Sequence, residues 1–171
     1  YRPLPSGRLS KKNTAIFAAI LYLLSLASAR LINRQFFFIV LLTAAMTFFY
    51  SAPPLRIKRY PVISNLCIAL PRGMLLIVAG WGTIRSVWVF EPWFIGLIFA
   101  LYLSGASTTK DFSDIKGDRQ FLIKTLPVLY GPEKSARIIA PFFYLPFLLI
   151  PVGVINKIIL PQSMPLVLLG F

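Results

Sequence analysis

Long apolar runs set the limits on what this chain can become. Segments at about 14–31, 35–51, 62–81, 87–107 and 136–155 are nearly free of charge, and a sixth run begins at 162–171. A helix needs roughly 20 apolar residues to cross the hydrocarbon of a bilayer. By that measure five segments span, the second of them being short, and the sixth is only the start of a span. Charged residues make up 13% of the chain, against roughly 25% in an average soluble domain. Lipid offers no hydrogen bonds to a backbone, so a spanning chain must be helical or a closed barrel. The runs do not alternate apolar and polar residues with a period of two, which excludes the barrel. The expected fold is therefore all-α: a polytopic transmembrane helical bundle forming a single membrane domain over residues 1–171.

Composition narrows the chemistry. There is no histidine, so neither a histidine base nor a histidine-ligated metal is available. The single cysteine, Cys67, cannot form an intrachain disulfide; as a small apolar residue it fits a buried position. Any metal must then be held by oxygen ligands, which favours Mg²⁺ over Zn²⁺. The net charge of +13 does not indicate nucleic acid. Binding of that kind gathers basic residues on one solvated face, whereas here they are dealt out between apolar segments.

That distribution orients the chain. One set of alternate loops holds Arg2, Arg8, Lys11, Lys12, Arg56, Lys58, Arg59, Lys110, Lys116, Arg119, Lys124, Lys134 and Arg137; the other holds only Arg30, Arg34, Arg85 and Lys157. The positive-inside bias places the first set on the cytoplasmic side of the cytoplasmic membrane. Arg72 belongs to neither set. It lies about ten residues into its span, which at a rise of about 1.5 Å per residue is near mid-membrane. A charge at that depth normally faces a cavity or a partner. The simpler alternative is that Pro71 and Gly73 break the helix and leave Arg72 shallow.

The chain has five acidic residues, and three fall close together as Asp111, Asp114 and Asp118. On a continuous helix, at about 100° per residue, they would share an arc of about 60°. Like charges this close repel, and folding does not require them. A hard divalent cation would convert the repulsion into attraction, because Mg²⁺ takes carboxylate oxygens and shares itself with phosphates. Lys110, Arg119 and Lys124 are then placed to contact phosphate oxygens. The competing reading is a solvated loop of mixed charge. Asn65, near the cytoplasmic end of its span, serves either a site or an interhelical hydrogen bond. Tyr50 serves either as an interfacial anchor or as an aromatic wall able to face a cation.

Lys110-Asp111-x-x-Asp114-x-x-Gly117-Asp118-Arg119, followed by Ile123-Lys124-Thr125-Leu126-Pro127 and Tyr130-Gly131, resembles the second aspartate-rich motif of the UbiA-type intramembrane prenyltransferases. Arg2-Pro3-Leu4-Pro5-Ser6-Gly7-Arg8 is similar to the segment after that family's first aspartate-rich motif. Tyr50-Ser51-x-Pro53-Pro54-Leu55-Arg56-x-Lys58-Arg59 is similar to its middle cytoplasmic loop. Asn65, Pro71-Arg72-Gly73 and Gly80 are similar to its next helix. Where the family usually has glycine, this chain has Leu122. The resemblance implies a partial UbiA-like fold, with the first aspartate-rich motif expected before Tyr1 and this chain alone expected to be inactive. It implies Mg²⁺-dependent transfer of a prenyl group from an isoprenoid diphosphate to an aromatic or lipid acceptor in the bilayer. Asp114 and Asp118 match the family's aspartate pair, with Asp111 a further candidate ligand. Arg119, Lys124, Arg56 and Lys58 become candidate diphosphate contacts, and Arg72 a contact to acceptor or diphosphate. Two other functions fit some of the same features: an ion-coupled transporter, and a catalytically inactive prenyltransferase-like partner.

Overall fold

The computed structural model describes residues 4, 6–120 and 123–170. Arg2, Pro3 and Pro5 of the N-terminal stretch, and Leu122, lie outside them. The described residues form helices and connecting turns without a strand. Among the described residues five helical segments are long and apolar enough to cross a membrane: Lys11–Ile32, Arg34–Ser51, Ile63–Gly82, Phe90–Phe112 and Pro132–Ile155.

α1 (Lys11–Ile32) and α2 (Arg34–Ser51) are separated by one residue, Asn33. Its backbone is extended, which ends α1. Its side-chain oxygen then accepts from Phe36 N at 2.8 Å, which caps α2. The Asn33 amide also donates to the carbonyl of Gly82 at 2.6 Å, tying this corner to the end of the third span. Gln35 and Trp93 both bond to Val87, the first accepting from its N–H and the second donating to its carbonyl. This end of the bundle is therefore held by polar side chains. Most of α1 is exposed, Ala29 being its buried residue. An apolar helix face of this kind suits lipid.

α2 ends before Pro53, and a turn leads to a one-turn 3₁₀ helix, Ile57–Arg59. Pro61 opens α3 (Pro61–Ala69) at a position where a missing N–H costs nothing. The span does not break at Pro71. It widens into a π-helical turn, Leu70–Leu75, and continues as α4 (Leu76–Gly82). Proline cannot donate to the carbonyl four residues back, and the bonding shifts so that Leu76 N donates to the carbonyl of Pro71.

α5 (Phe90–Thr109) lies against this turn with almost no side chain between the backbones. A Cβ built on Gly73 would sit 2.6 Å from the Ala100 Cα, and one on Gly96 would sit 2.9 Å from the Met74 Cα. Small residues that permit close approach are the usual means of joining helices in lipid. α2 meets the same span less closely, through Ile39 in one cluster with Leu75, Val78 and Ala79 of that span and with Val87 beyond its end.

The fourth span runs past Thr109 into a 3₁₀ turn, Lys110–Phe112, followed by α6 (Ile115–Gln120) and α7 (Leu126–Tyr130). Gly131, at φ +79°, turns the chain into α8 (Pro132–Ile139), and Ala140 joins α8 to α9 (Pro141–Ile155). The region expected to begin a sixth spanning α-helix is instead a 3₁₀ helix, Pro161–Gly170, folded back against α9. Pro165, inside it, removes an N–H from the ladder, which disfavours regular α-helical bonding.

Candidate functional site

A cavity of about 670 Å³ lies between α2, the third span and α5. Its lining includes Thr47 and Tyr50 from α2, Cys67 and Arg72 from the third span, Ser107 from the end of α5 and Lys110 from the 3₁₀ turn that follows it. Four candidate site residues are thereby located. Tyr50, Arg72 and Lys110 meet in one cavity, and Asp111 follows Lys110 in the chain. Arg72 is exposed within a spanning segment because it stands on the π turn and opens onto this space. The broken helix that would have left it shallow does not occur.

Asp111 is not on a solvated loop. It sits in the 3₁₀ turn that extends α5, its side chain is 12% exposed, and Lys110 Nζ lies 3.3 Å from its Oδ1. Asp114 and Asp118 lie close enough to act on its charge. The three aspartates do not share one helix. The chain turns at Ser113, which separates Asp111 from α6. Asp114 and Asp118 keep the one-turn relation, the Asp118 N–H donating to the Asp114 carbonyl at 2.8 Å. Asp114 is exposed; Asp118 is half-buried and its Oδ2 accepts from Thr125 Oγ1 at 3.2 Å. α6 packs on the Lys110–Phe112 turn and on α7. Neither Asp114 nor Asp118 is in the lining of the cavity, and neither are the exposed side chains of Arg56, Lys58, Arg119 and Lys124.

Asn65 does not line the cavity either. Its amide donates to Thr108 Oγ1 at 2.7 Å, and Thr108 is fully buried. This bond joins α3 to α5 one turn before Lys110 and Asp111. Sequence reasoning missed Thr108 and Thr125 as supports; Thr125 had a signal, since it lies inside the quoted motif.

The donor chemistry fits a hard divalent cation: two carboxylates one helical turn apart, one of them steadied by a threonine. Among the described residues no three cysteine, aspartate or glutamate side chains converge to hold a metal. An ion at Asp114 and Asp118 would complete its shell with water or with a ligand's oxygens, as Mg²⁺ commonly does.

A helical membrane bundle with a charged cavity at one end of its spans is the class of protein that these features define. The chain belongs to the UbiA prenyltransferase family, which matches it over residues 1–171. It is similar to the digeranylgeranylglyceryl phosphate synthase of Methanobrevibacter smithii, with 29% identity over 140 residues, covering 79% of this chain and 48% of the relative. It is also similar to the bacteriochlorophyll synthase 34 kDa chain of Chloroflexus aurantiacus, with 32% identity over 139 residues, covering 81% and 44%. The chain thus spans about half the length of the curated relatives it matches. Its fold is similar to that of a UbiA homolog from Archaeoglobus fulgidus bound to Cd²⁺, with a TM-score of 0.80 and 26% identity over 98% of this chain and 63% of that one.

Proposed function

We propose that the protein transfers a prenyl group from an isoprenoid diphosphate to an aromatic or lipid acceptor within the membrane, in a Mg²⁺-dependent reaction. The observation that carries this reading is the cavity in which Arg72, Lys110 and Tyr50 meet apolar walls. An amphiphile with an anionic head needs that combination. The relatives support it at the level of reaction class, being synthases named for a glyceryl phosphate lipid and for a bacteriochlorophyll.

In this reading Arg72 and Lys110 hold the oxygens of the diphosphate. Arg72 does so with a planar fork of donors, Lys110 with a point charge. Asp111 keeps the Lys110 ammonium at the rim of the cavity. As the C–O bond of the donor breaks, negative charge grows on the leaving diphosphate, and the two cations are already in place to stabilise it. The allylic cation left behind faces Tyr50 and apolar side chains, which exclude water that would otherwise capture it. Mg²⁺, held by Asp114 and Asp118, would supply further neutralisation of the diphosphate. The face of the bundle carrying the basic loops is the cytoplasmic one in this reading.

The test uses the full-length gene product, a radiolabelled isoprenoid diphosphate and Mg²⁺. Diphosphate release that disappears with EDTA supports the reading. Movement of substrate across vesicles without release would mean a transporter. Substrate binding without release in the presence of acceptor would mean an inactive partner.

A further inference from the structure

The end of the bundle opposite Lys110 carries few cations, and they are unevenly placed. Of Arg30, Arg34, Arg85 and Lys157, the three arginines gather at one corner. Two hydrogen bonds lace that corner together. The Asn33 amide donates to the Gly82 carbonyl at 2.6 Å, and the Val87 N–H donates to Gln35 Oε1 at 3.0 Å. Arg34 stands between Asn33 and Gln35, Arg85 stands between Gly82 and Val87, and Arg30 lies one turn back in α1.

All three arginines are exposed, and among the described residues none has a carboxylate within ion-pair distance. Arg30 has a local reason for its place: in the last turn of α1 it complements the helix dipole. The other two have none. Arg34 opens α2, where the dipole already presents positive charge and the first turn holds no acid to offset it. Arg85 lies beyond Gly82, the last residue of α4. Each of the two is set against an aromatic ring. Arg34 Cζ is 5.7 Å from the Phe38 centroid, and Arg85 Cζ is 6.0 Å from that of Trp81. A ring face steadies a guanidinium without using its N–H groups, which stay available to an acceptor.

The apolar residues of the corner show what kind of acceptor suits it. Among the described residues the three most exposed large apolar side chains are Leu31 at 88%, Ile84 at 87% and Trp88 at 81%. Leu31 follows Arg30, Ile84 precedes Arg85, and Trp88 follows Val87. A soluble anion would satisfy the arginines and leave these side chains bare. An anionic phospholipid serves both groups. Its phosphate oxygens accept from the guanidinium forks, and its upper acyl chains cover Leu31, Ile84 and Trp88, tryptophan being a residue of the membrane interface.

We infer that this corner binds the head group of an anionic phospholipid, in the leaflet at the end of the bundle opposite Lys110. The length of α5 separates it from the cavity of Arg72 and Lys110, so its occupancy is independent of the proposed reaction.

The test uses the full-length gene product with its other cysteines replaced by alanine, carrying a fluorophore on Ile84→Cys, in phosphatidylcholine bilayers. A small fraction of phosphatidylglycerol or of phosphatidylcholine bears a nitroxide on the acyl chain near the glycerol. Quenching by the labelled phosphatidylglycerol is expected to exceed that by the labelled phosphatidylcholine about threefold or more at equal mole fraction. The triple variant Arg30→Gln, Arg34→Gln, Arg85→Gln should lose this preference while quenching by phosphatidylcholine stays unchanged. Arg34→Gln and Arg85→Gln should each lower the ratio singly, a reading that does not depend on the yield of the triple variant. A preference retained in all these variants overturns the inference. So does an equal preference at a fluorophore on Lys157→Cys, beyond the end of α9, since it would mean only a general attraction of this end for anionic lipid. Loss of the preference on adding inorganic phosphate would make the corner a site for soluble anions. Shielding of the fluorophore from both lipids would mean that protein, as from a second copy of the chain, covers it. Either result overturns the inference too.

Discussion

In the proposed reaction Asp118 and Arg72 have different roles, and substitutions should separate them. Asp118→Asn keeps the shape and the Thr125 contact but removes the charge that would hold Mg²⁺. Diphosphate release is expected to fall by about two orders of magnitude or more, measured at saturating Mg²⁺. Thr125→Val leaves that charge in place and frees it to move, so the expected effect is on metal and not on chemistry. The Mg²⁺ concentration for half-maximal rate should rise about tenfold, with the rate at saturation largely restored. An equal loss at all Mg²⁺ concentrations would argue for a packing role. Arg72→Ala should lower turnover about a hundredfold while the yield of folded protein in detergent stays near wild type, because Arg72 faces a cavity and not a neighbouring helix. At this scale the sequence nominated candidates by residue type and position. The rarity of acid elsewhere marked the aspartates, and depth in a span marked Arg72. It could not show that a turn at Ser113 takes Asp111 off the helix of its neighbours, or that Lys110 pairs with it. Both depend on where α5 stops, and helix ends are decided by local geometry that composition barely signals.

Among the elements, the third span is where local chemistry and packing bear most closely on each other. Pro71 imposes a π turn, and the residue beyond it, Arg72, is presented to the cavity while Gly73 is pressed onto α5. Gly73→Val should therefore be strongly destabilising. The atoms it meets are the backbone of Phe99 and Ala100, which cannot rotate away, and the cost should sit at or above the upper end of the about 1–3 kcal/mol typical of overpacking. A lowered thermal midpoint in detergent, with loss of monodispersity, is the readout. The one-residue hinge between α1 and α2 makes a second prediction. Asn33→Ala removes both the cap on Phe36 N and the bond to the Gly82 carbonyl. It should cost about 1–2 kcal/mol, and Asn33→Asp should recover the cap but not the second bond. The existence and order of the five spans were legible, because an apolar run of sufficient length needs no partner to declare itself. The 3₁₀ helix at Pro161–Gly170 was not, since hydropathy alone does not distinguish one helical pitch from another.

For the whole molecule, the placement of charge predicts orientation. In a Cys67→Ala background, a cysteine introduced at Arg85 should react with a membrane-impermeant maleimide on intact cells. Cysteines at Lys58 or Lys116 should react only after permeabilisation; the reverse pattern would invert the assigned topology. Hydropathy and charge are properties of one segment at a time, and so the sequence by itself determined that this chain lives in lipid as five helices, which ends carry the basic loops, and which rare residues could do chemistry. Which of those residues meet was decided only by the tertiary structure. In lipid every face of an apolar helix is equally acceptable to its solvent, so hydropathy does not say which side turns inward. That choice falls to the volumes at the contacts. Gly73 and Gly96 let the third span and α5 close together. The looser fit against α2 leaves the space that Arg72, Lys110 and Tyr50 share.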